Sequence, residues 1–286
     1  MIFDEAYTLS NGVKIPKLGY GTWFIKDGEA AQAVREAVGI GYRLIDTAQA
    51  YGNERGVGEG VRSCGVAREK LFVTSKVAAE NKSYESARAS IEETLKKMGL
   101  EYLDLMIIHS PQPWAEWRGG KRYFAENREV WKALEDAYFA GRLKAIGVSN
   151  FLRDDLDSLL PSCRARPMVN QILTHIGNTP APLIDYCLAQ DIRIESYSPI
   201  AHGQILQNAE ILGMAERYGV TAAQLCVRYA IQLGTVALPK SGNPRHMAEN
   251  AAVEFEIAGE DMDTLRGLSL EAPYGEFSTF PVFSGK

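Results

Sequence analysis

Four ionisable side chains of different kinds stand at the ends of successive apolar runs: Asp46, Tyr51, Lys76 and His109. Asp46 closes Leu44-Ile45, and Tyr51 follows one short turn later, within the stretch Gly41-Tyr42-Arg43-Leu44-Ile45-Asp46-Thr47-Ala48-Gln49-Ala50-Tyr51-Gly52-Asn53-Glu54. Lys76 ends Leu71-Phe72-Val73-Thr74-Ser75-Lys76, and His109 ends Leu103-Asp104-Leu105-Met106-Ile107-Ile108-His109. Such groups can hold or move a proton, and an α/β protein keeps its chemistry on the loops at the carboxyl ends of its strands. Each residue alone has a plainer reading. Asp46 is a turn former or helix cap, Lys76 a lysine snorkelling at the surface, His109 a satisfied core histidine and Tyr51 a packing aromatic. Four of them at consecutive strand ends of one mouth are hard to assign to packing.

The elements that must position these groups follow from periodicity and turn chemistry. Tyr7-Thr8-Leu9, Ser10-Asn11-Gly12 and Val13-Lys14-Ile15-Pro16 read as a hairpin with a positive-φ turn at Asn-Gly. Strands are expected at 18–21, 44–46, 71–76, 103–109, 145–148, 168–171, 193–197 and 236–238. Helices are expected at 29–38, 54–62, 83–98, 129–140, 154–160, 180–189, 209–218, 222–232 and 243–250. The 83–98 helix is the clearest, with Tyr84, Ala87, Ile91, Leu95 and Met98 on one face and Gly99 as its stop. Thr179 is read as the cap of the 180–189 helix with proline first, and Thr221-x-x-Gln224 as a capping box. Residues 110–123 form a long irregular stretch carrying two tryptophans, and a loop that long is usually functional or mobile.

Eight strands alternating with helices make a parallel α/β fold. A doubly wound dinucleotide fold should show G-x-G-x-x-G after its first strand, but Gly19-Tyr20-Gly21 runs into Thr22-Trp23-Phe24. The expected fold is therefore a (β/α)8 barrel, residues 1–286 as one domain, with the hairpin closing the barrel bottom. The length of 286 residues suits a barrel of about 250.

Composition narrows the function. A net charge of −5 with no Lys/Arg run argues against a nucleic-acid partner. Cys64, Cys163, Cys187 and Cys226 form no C-x-x-C pair, as suits a reducing cytoplasm. His109, His175, His202 and His246 show no metal-ligand spacing, so no metal is expected. No signal-like or membrane-spanning apolar run is read, and a cytoplasmic monomer is expected.

The chain resembles the aldo-keto reductases almost end to end. The likeness rests on Leu18-Gly19-Tyr20-Gly21-Thr22-Trp23, the 41–54 segment, Ile107-Ile108-His109-Ser110-Pro111, Gly147-Val148-Ser149-Asn150-Phe151, Tyr197-Ser198-Pro199 and Leu238-Pro239-Lys240-Ser241. Within the family it looks like the short-looped bacterial type that acts on 2,5-diketo-D-gluconate. The resemblance implies an NADPH-dependent oxidoreductase that reduces aldehydes, ketones or keto-sugars, with NADH usable. Tyr51 would be the general acid, Lys76 beside it would lower a phenol pKa of about 10, and Asp46 would hold Lys76 charged and in place. His109 would orient the carbonyl. Ser149, Asn150 and Gln171 would hold the nicotinamide carboxamide, Tyr197 (followed by Ser198) would stack on its ring, and Gly21-Thr22 would pass the ribose, beside Asp46. Lys240, Ser241, His246, Glu249 and Asn250 would hold the adenosine 2′-phosphate end, helped by a helix start at Asn243-Pro244. Trp23, Trp114 and Trp117, with Tyr274, Phe277 and Phe280 of the tail, would line or cover the substrate pocket.

Two departures from the family pattern are visible. Ser110 follows the histidine where many members carry Trp, and His246 stands where many carry Arg, with Arg245 one place earlier. A non-catalytic barrel of the kind used in channel β-subunits and lens crystallins would not need to keep the acid. A phosphate-binding barrel isomerase or lyase would not need a ring-stacking Tyr197.

Overall fold

The structure, a computed structural model, describes residues 1–270 and 274–284. Asn11-Gly12 turns the chain between β1 (Ala6–Thr8) and β2 (Lys14–Pro16), which pair antiparallel, and Gly12 takes the positive φ of 88° that the turn requires. Leu9 and Ile15 are buried, and Asn11 Nδ2 donates to the Lys144 carbonyl (2.9 Å), just before a barrel strand begins. The hairpin thus covers the amino-terminal end of the barrel.

Eight parallel strands follow in chain order. They are β3 (Gly19–Gly21), β4 (Leu44–Asp46), β5 (Phe72–Val77), β6 (Leu105–Ile108), β7 (Ile146–Ser149), β8 (Val169–Leu173), β9 (Arg193–Tyr197) and β10 (Val236–Leu238). Bridges Leu18 to Ala237 and Gly21 to Lys240 bring the last strand back to the first and close the ring. Strands covered on both faces carry near-continuous apolar runs, as Leu105-Met106-Ile107-Ile108 does.

The helices are α1 (Asp27–Ile40), α2 (Glu54–Ser63), α3 (Tyr84–Met98), α4 (Phe124–Phe139), α5 (Arg153–Leu159), α6 (Ala181–Ala189), α7 (Ala209–Arg217), α8 (Ala222–Gln232), α9 (Pro244–Ala251) and α10 (Gly259–Gly267). In α3, Ser83 and Ser86 form a reciprocal capping box, Ala87, Ile91, Leu95 and Met98 are buried, and Gly99 ends it in the left-handed region at φ 63°. The Thr221/Gln224 box opens α8 as expected.

Three elements differ from the sequence reading. The first turn of α4 begins at Phe124 rather than residue 129. That turn buries no apolar side chain, and its buried member is Asn127, which accepts from Lys82 Nζ (3.0 Å) and donates to the Pro111 carbonyl (2.9 Å). Pro180 sits at the cap of α6, and the Thr179 hydroxyl donates backwards to the His175 carbonyl (3.2 Å), so Thr179 is not the cap. α10 has no counterpart among the expected helices. It has glycine at both ends and buries only Met262 and Leu265, too few apolar positions to show a period.

Candidate active site

The site is assembled from the carboxyl ends of β4, β5, β6, β7, β8 and β9. After β4 the chain makes a short turn, Gln49–Tyr51, and Gly52 at φ 69° releases it into α2. Buried Asn53 staples this loop. Its Oδ1 accepts from the Thr47 hydroxyl (2.7 Å), and its Nδ2 donates to the carbonyls of Thr22 and Ile25 (2.9 Å each). Glu54 Oε1 accepts from the hydroxyls of Ser75 (2.7 Å) and Thr94 (2.9 Å), tying α2 to β5 and α3. In the sequence these two residues read only as a helix opening. They fix where Tyr51 stands.

Lys76 is wholly buried, and all three of its ammonium protons are used: toward Asp46 Oδ1 (2.6 Å), the Thr47 carbonyl (2.8 Å) and the Tyr51 hydroxyl (3.2 Å). Burial pulls the ammonium pKa down, but Asp46 and Tyr51 together hold it above its usual value. Burial pushes the Tyr51 phenol up. Lys76 draws it down, Asp46 pushes it up again, and the net position lies above the ordinary 10. The lowering expected from Lys76 alone is therefore not the net outcome, because a fully buried phenolate loses more solvation than one partly neutralised neighbour returns.

His109 is held neutral, well below the usual imidazole value, by burial and by the Lys76 charge. Its ring meets Tyr51 edge-on at 5.7 Å and Trp114 at 5.1 Å, and its buried Nδ1 has no hydrogen-bond partner among the described residues. Lys82 clamps the segment after it, donating to the Ser110 carbonyl (2.9 Å) as well as to Asn127, and burial pulls that ammonium down to about 7.

Beside this group, Ser149 donates to the Gln171 carbonyl (2.8 Å), and Asn150 Nδ2 to the Ser149 hydroxyl (3.0 Å) and the His109 carbonyl (3.2 Å). The Tyr197 hydroxyl donates to Asn150 Oδ1 (2.8 Å). Asn150 and Ser198 both take left-handed backbone, at φ 61° and 52°, a strained conformation common at functional sites. The two protons of Gln171 Nε2 go to Asp46 Oδ2 and Glu195 Oε2, at 2.9 Å each. Gln171 Oε1 accepts no hydrogen bond among the described residues, and Gln171 lines the cavity. A primary amide docked here would therefore find a free acceptor in Gln171, further lone pairs on Ser149 and Asn150, and an aromatic ring in Tyr197 beside them. These residues fit a nicotinamide carboxamide.

The cavity holds about 920 Å³. Its floor is Asp46, Tyr51 and His109, and one wall carries Gly21, Ser149, Asn150, Gln171, Tyr197 and Ser198, with Leu238 and Lys240 further along. Thr22 is buried next to Gly21 and spends its hydroxyl on the Asp46 carbonyl (2.9 Å). Trp23, Trp114, Phe277 and Phe280 line the mouth, joined by Phe24, His202 and Phe283. Trp117 does not reach the wall. It lies tilted against Trp114 at 5.6 Å. Tyr274 also stands behind the wall, with its hydroxyl 2.8 Å from His175 Nε2.

Ser241, His246 and Glu249 do not line the cavity: Ser241 precedes α9, and His246 and Glu249 lie on it, while Asn243 caps the helix by accepting from Arg245 N (2.9 Å). His246 is exposed, whereas Arg245 is engaged by Glu249 Oε1 (2.9 Å) and Asn250 is buried. Among the described residues, no group of His, Cys, Asp and Glu is arranged to hold a metal ion, and no helix is long and apolar enough to cross a membrane.

The Asp46–Lys76–Tyr51 cluster stands at the carboxyl-terminal mouth of a (β/α)8 barrel. Residues 17–269 match the model of the aldo/keto reductase family. The chain is 41% identical over 273 residues to the glyoxal reductase of Bacillus subtilis (strain 168), covering 95% of each sequence. It is 40% identical over 273 residues to the 9,11-endoperoxide prostaglandin H2 reductase of Trypanosoma cruzi (strain CL Brener), covering 94% of this chain and 93% of the relative. A crystal structure of an aldo/keto reductase from Brucella melitensis superposes with a TM-score of 0.85 at 36% identity, covering 92% of this chain and 98% of that one. The chain belongs to the aldo/keto reductase family, and it is an NAD(P)H-dependent oxidoreductase. These relatives carry names from several carbonyl and peroxide chemistries, and they do not single out the diketogluconate reductases.

Proposed function

We propose that the protein reduces aldehydes, ketones or keto-sugars to alcohols with NADPH as the preferred reductant and Tyr51 as the general acid. One observation carries this reading. The Tyr51 hydroxyl accepts a hydrogen bond from Lys76 and donates to no described residue, so its proton is free to face a ligand in the cavity. A carbonyl oxygen seated between Tyr51 and the neutral ring of His109 would meet that proton on one side and the imidazole on the other. As the proton leaves, the charge growing on the phenol oxygen falls under the fully buried ammonium of Lys76, where water does not screen it. Asp46, by holding Lys76 at 2.6 Å, keeps that cation in place. Gln171, Ser149, Asn150, Tyr197 and Ser198 are the residues that would hold a nicotinamide, which when bound would supply the hydride. Gly21, Thr22, Lys240, Ser241, His246, Glu249 and Asn250 would hold the remainder of the cofactor.

The aromatic mouth of Trp23, Trp114, Phe277 and Phe280 favours carbonyls with a planar or apolar flank. The name of the Bacillus relative adds small dicarbonyls to the candidates. A panel of aldehydes, α-dicarbonyls and keto-sugars, assayed with both reduced cofactors by loss of reduced-nicotinamide absorbance, is expected to show carbonyl-dependent turnover with preference for NADPH. Absence of turnover across the panel with either cofactor would reject the assignment. The proposal includes a monomer working in the cytoplasm, in keeping with four free cysteines.

Cofactor choice gives a second test. An arginine fork recognises a phosphate bidentately with a permanent charge, and histidine offers less. His246 is exposed, and Arg245 is engaged by Glu249, so Lys240 is left as the main cation along this wall. His246→Arg is expected to tighten NADPH binding by roughly 1–2 kcal/mol, the scale of one charge-assisted hydrogen bond, with little effect on NADH. Paired dissociation constants would check this. Equal gains for both cofactors would show that residue 246 does not face the phosphate.

A further inference from the structure

Glu195 lies in the middle of β9, wholly buried, an acid flanked by Ile194 and Ser196 and in register with Gln171 of β8. No signature residue of the site accounts for it. Its Oε2 accepts one proton of Gln171 Nε2 (2.9 Å), and the other proton of the same amide goes to Asp46 Oδ2 (2.9 Å). Two carboxyl groups therefore share a single amide donor. Glu195 Oε1 is buried and has no partner among the described residues. The cation of the cluster, Lys76, is spent on Asp46.

These contacts constrain charge. Asp46 and Lys76 already make a neutral pair, so an ionised Glu195 would leave one negative charge buried without a cation of its own, with Oε1 unpartnered among the described residues. Burying such a charge is costly, and a buried carboxyl without a cation keeps its proton instead. We propose that Glu195 is a positioning residue that works as a neutral carboxylic acid, orienting Gln171 against Asp46 while leaving the field of Lys76 free to act on Tyr51. This inference rests on the reading of Tyr51 as the general acid.

The groups facing Glu195 are Asp46 from β4, Lys76 from β5 and Gln171 from β8. Burial, with the Asp46 charge next, pushes its pKa up to about 8, while Gln171 and Lys76 pull the other way. Above that pH a second anion would stand within the cluster. It would stabilise the Lys76 ammonium and oppose negative charge on the Tyr51 oxygen, so carbonyl reduction should slow as Glu195 ionises.

The test is the pH profile of kcat for carbonyl reduction in wild type and Glu195→Gln, an isosteric change that cannot ionise. Wild-type kcat is expected to fall on the alkaline side from about pH 8, with the fall in Glu195→Gln displaced upward by about one pH unit or more. The position of that limb is the readout, since a merely structural residue would change its height and not its place. Thermal melts give a second measure. With its folded pKa raised, wild type binds more protons folded than unfolded between about pH 4.5 and 8, and so loses stability as pH rises through that interval. The melting temperature of Glu195→Gln relative to wild type should therefore climb over the same interval. Should the variant not fold, infrared difference spectra of wild type should show a protonated carboxyl stretch at about pH 6 that is lost by about pH 9. Coincident alkaline limbs with a pH-independent melting difference, or no such stretch, would overturn the proposal. If Tyr51→Phe kept its turnover, the general-acid reading itself would fall. A dead Tyr51→Phe beside coincident limbs would remove only the role of Glu195.

Discussion

Tyr51→Phe is expected to lower turnover by roughly a hundred- to ten-thousand-fold, the range a positioned general acid supplies, while leaving cofactor affinity nearly intact. The phenylalanine keeps the ring that packs edge-on against His109 and loses only the hydroxyl. Lys76 still has Asp46 and the Thr47 carbonyl as acceptors, so the cluster should hold its shape. Binding can be followed by quenching of tryptophan fluorescence, because Trp23 and Trp114 both line the cavity. A variant that kept a tenth of wild-type turnover would show that Tyr51 is not the main acid. The phenol's pKa, raised above its ordinary value by burial, sharpens this expectation. The proton stays on Tyr51 through the neutral range and leaves only when the reaction draws it off under the Lys76 charge.

Lys76→Met should remove nearly all activity and should also destabilise the fold. The ammonium is wholly buried and serves three acceptors, and deleting it leaves the Asp46 carboxylate buried with only Gln171 as a side-chain donor. Removing one partner of a buried ion pair typically costs about 3–5 kcal/mol. A melt and a kcat measurement on the same preparation separate the two losses, since the folded fraction of the variant should still be inactive. Asp46→Asn is expected to act in the same direction and less severely. One amide oxygen can still accept from Lys76 or from Gln171, but the amide nitrogen then meets the other donor head on. If Asp46→Asn proved the more damaging of the two, the carboxylate rather than the ammonium would govern Tyr51, and the two residues would exchange roles.

What could be read from the chain alone was local and periodic. The strand ends at Asp46, Tyr197 and Leu238 fall where alternating apolar and turn residues placed them, and the hairpin follows from Asn11-Gly12. The family likeness likewise rests on short contiguous motifs, which survive as text because a loop after a strand must carry its reactive residue at a set spacing. Trp117 and Tyr274, which the family likeness assigned to the pocket, are not among the residues lining it. Aromatic type says that a residue packs and does not say which neighbour it packs on.

The tertiary structure decided whatever depends on groups distant in the chain. Gln171 reaches an Asp46 that is 125 positions away, and Glu195 enters the cluster from yet another strand. No periodicity marks such partners, because a buried polar contact across barrel strands needs one donor and one acceptor at one height, and nothing repeats. The direction of the Tyr51 pKa shows the same limit. The family likeness implied that a lysine and an acid would stand near the phenol, with the lysine lowering its pKa. Only the fold, by removing water from all three at once, determined that burial outweighs the Lys76 charge, because the solvation lost by an ion is a property of everything packed around it.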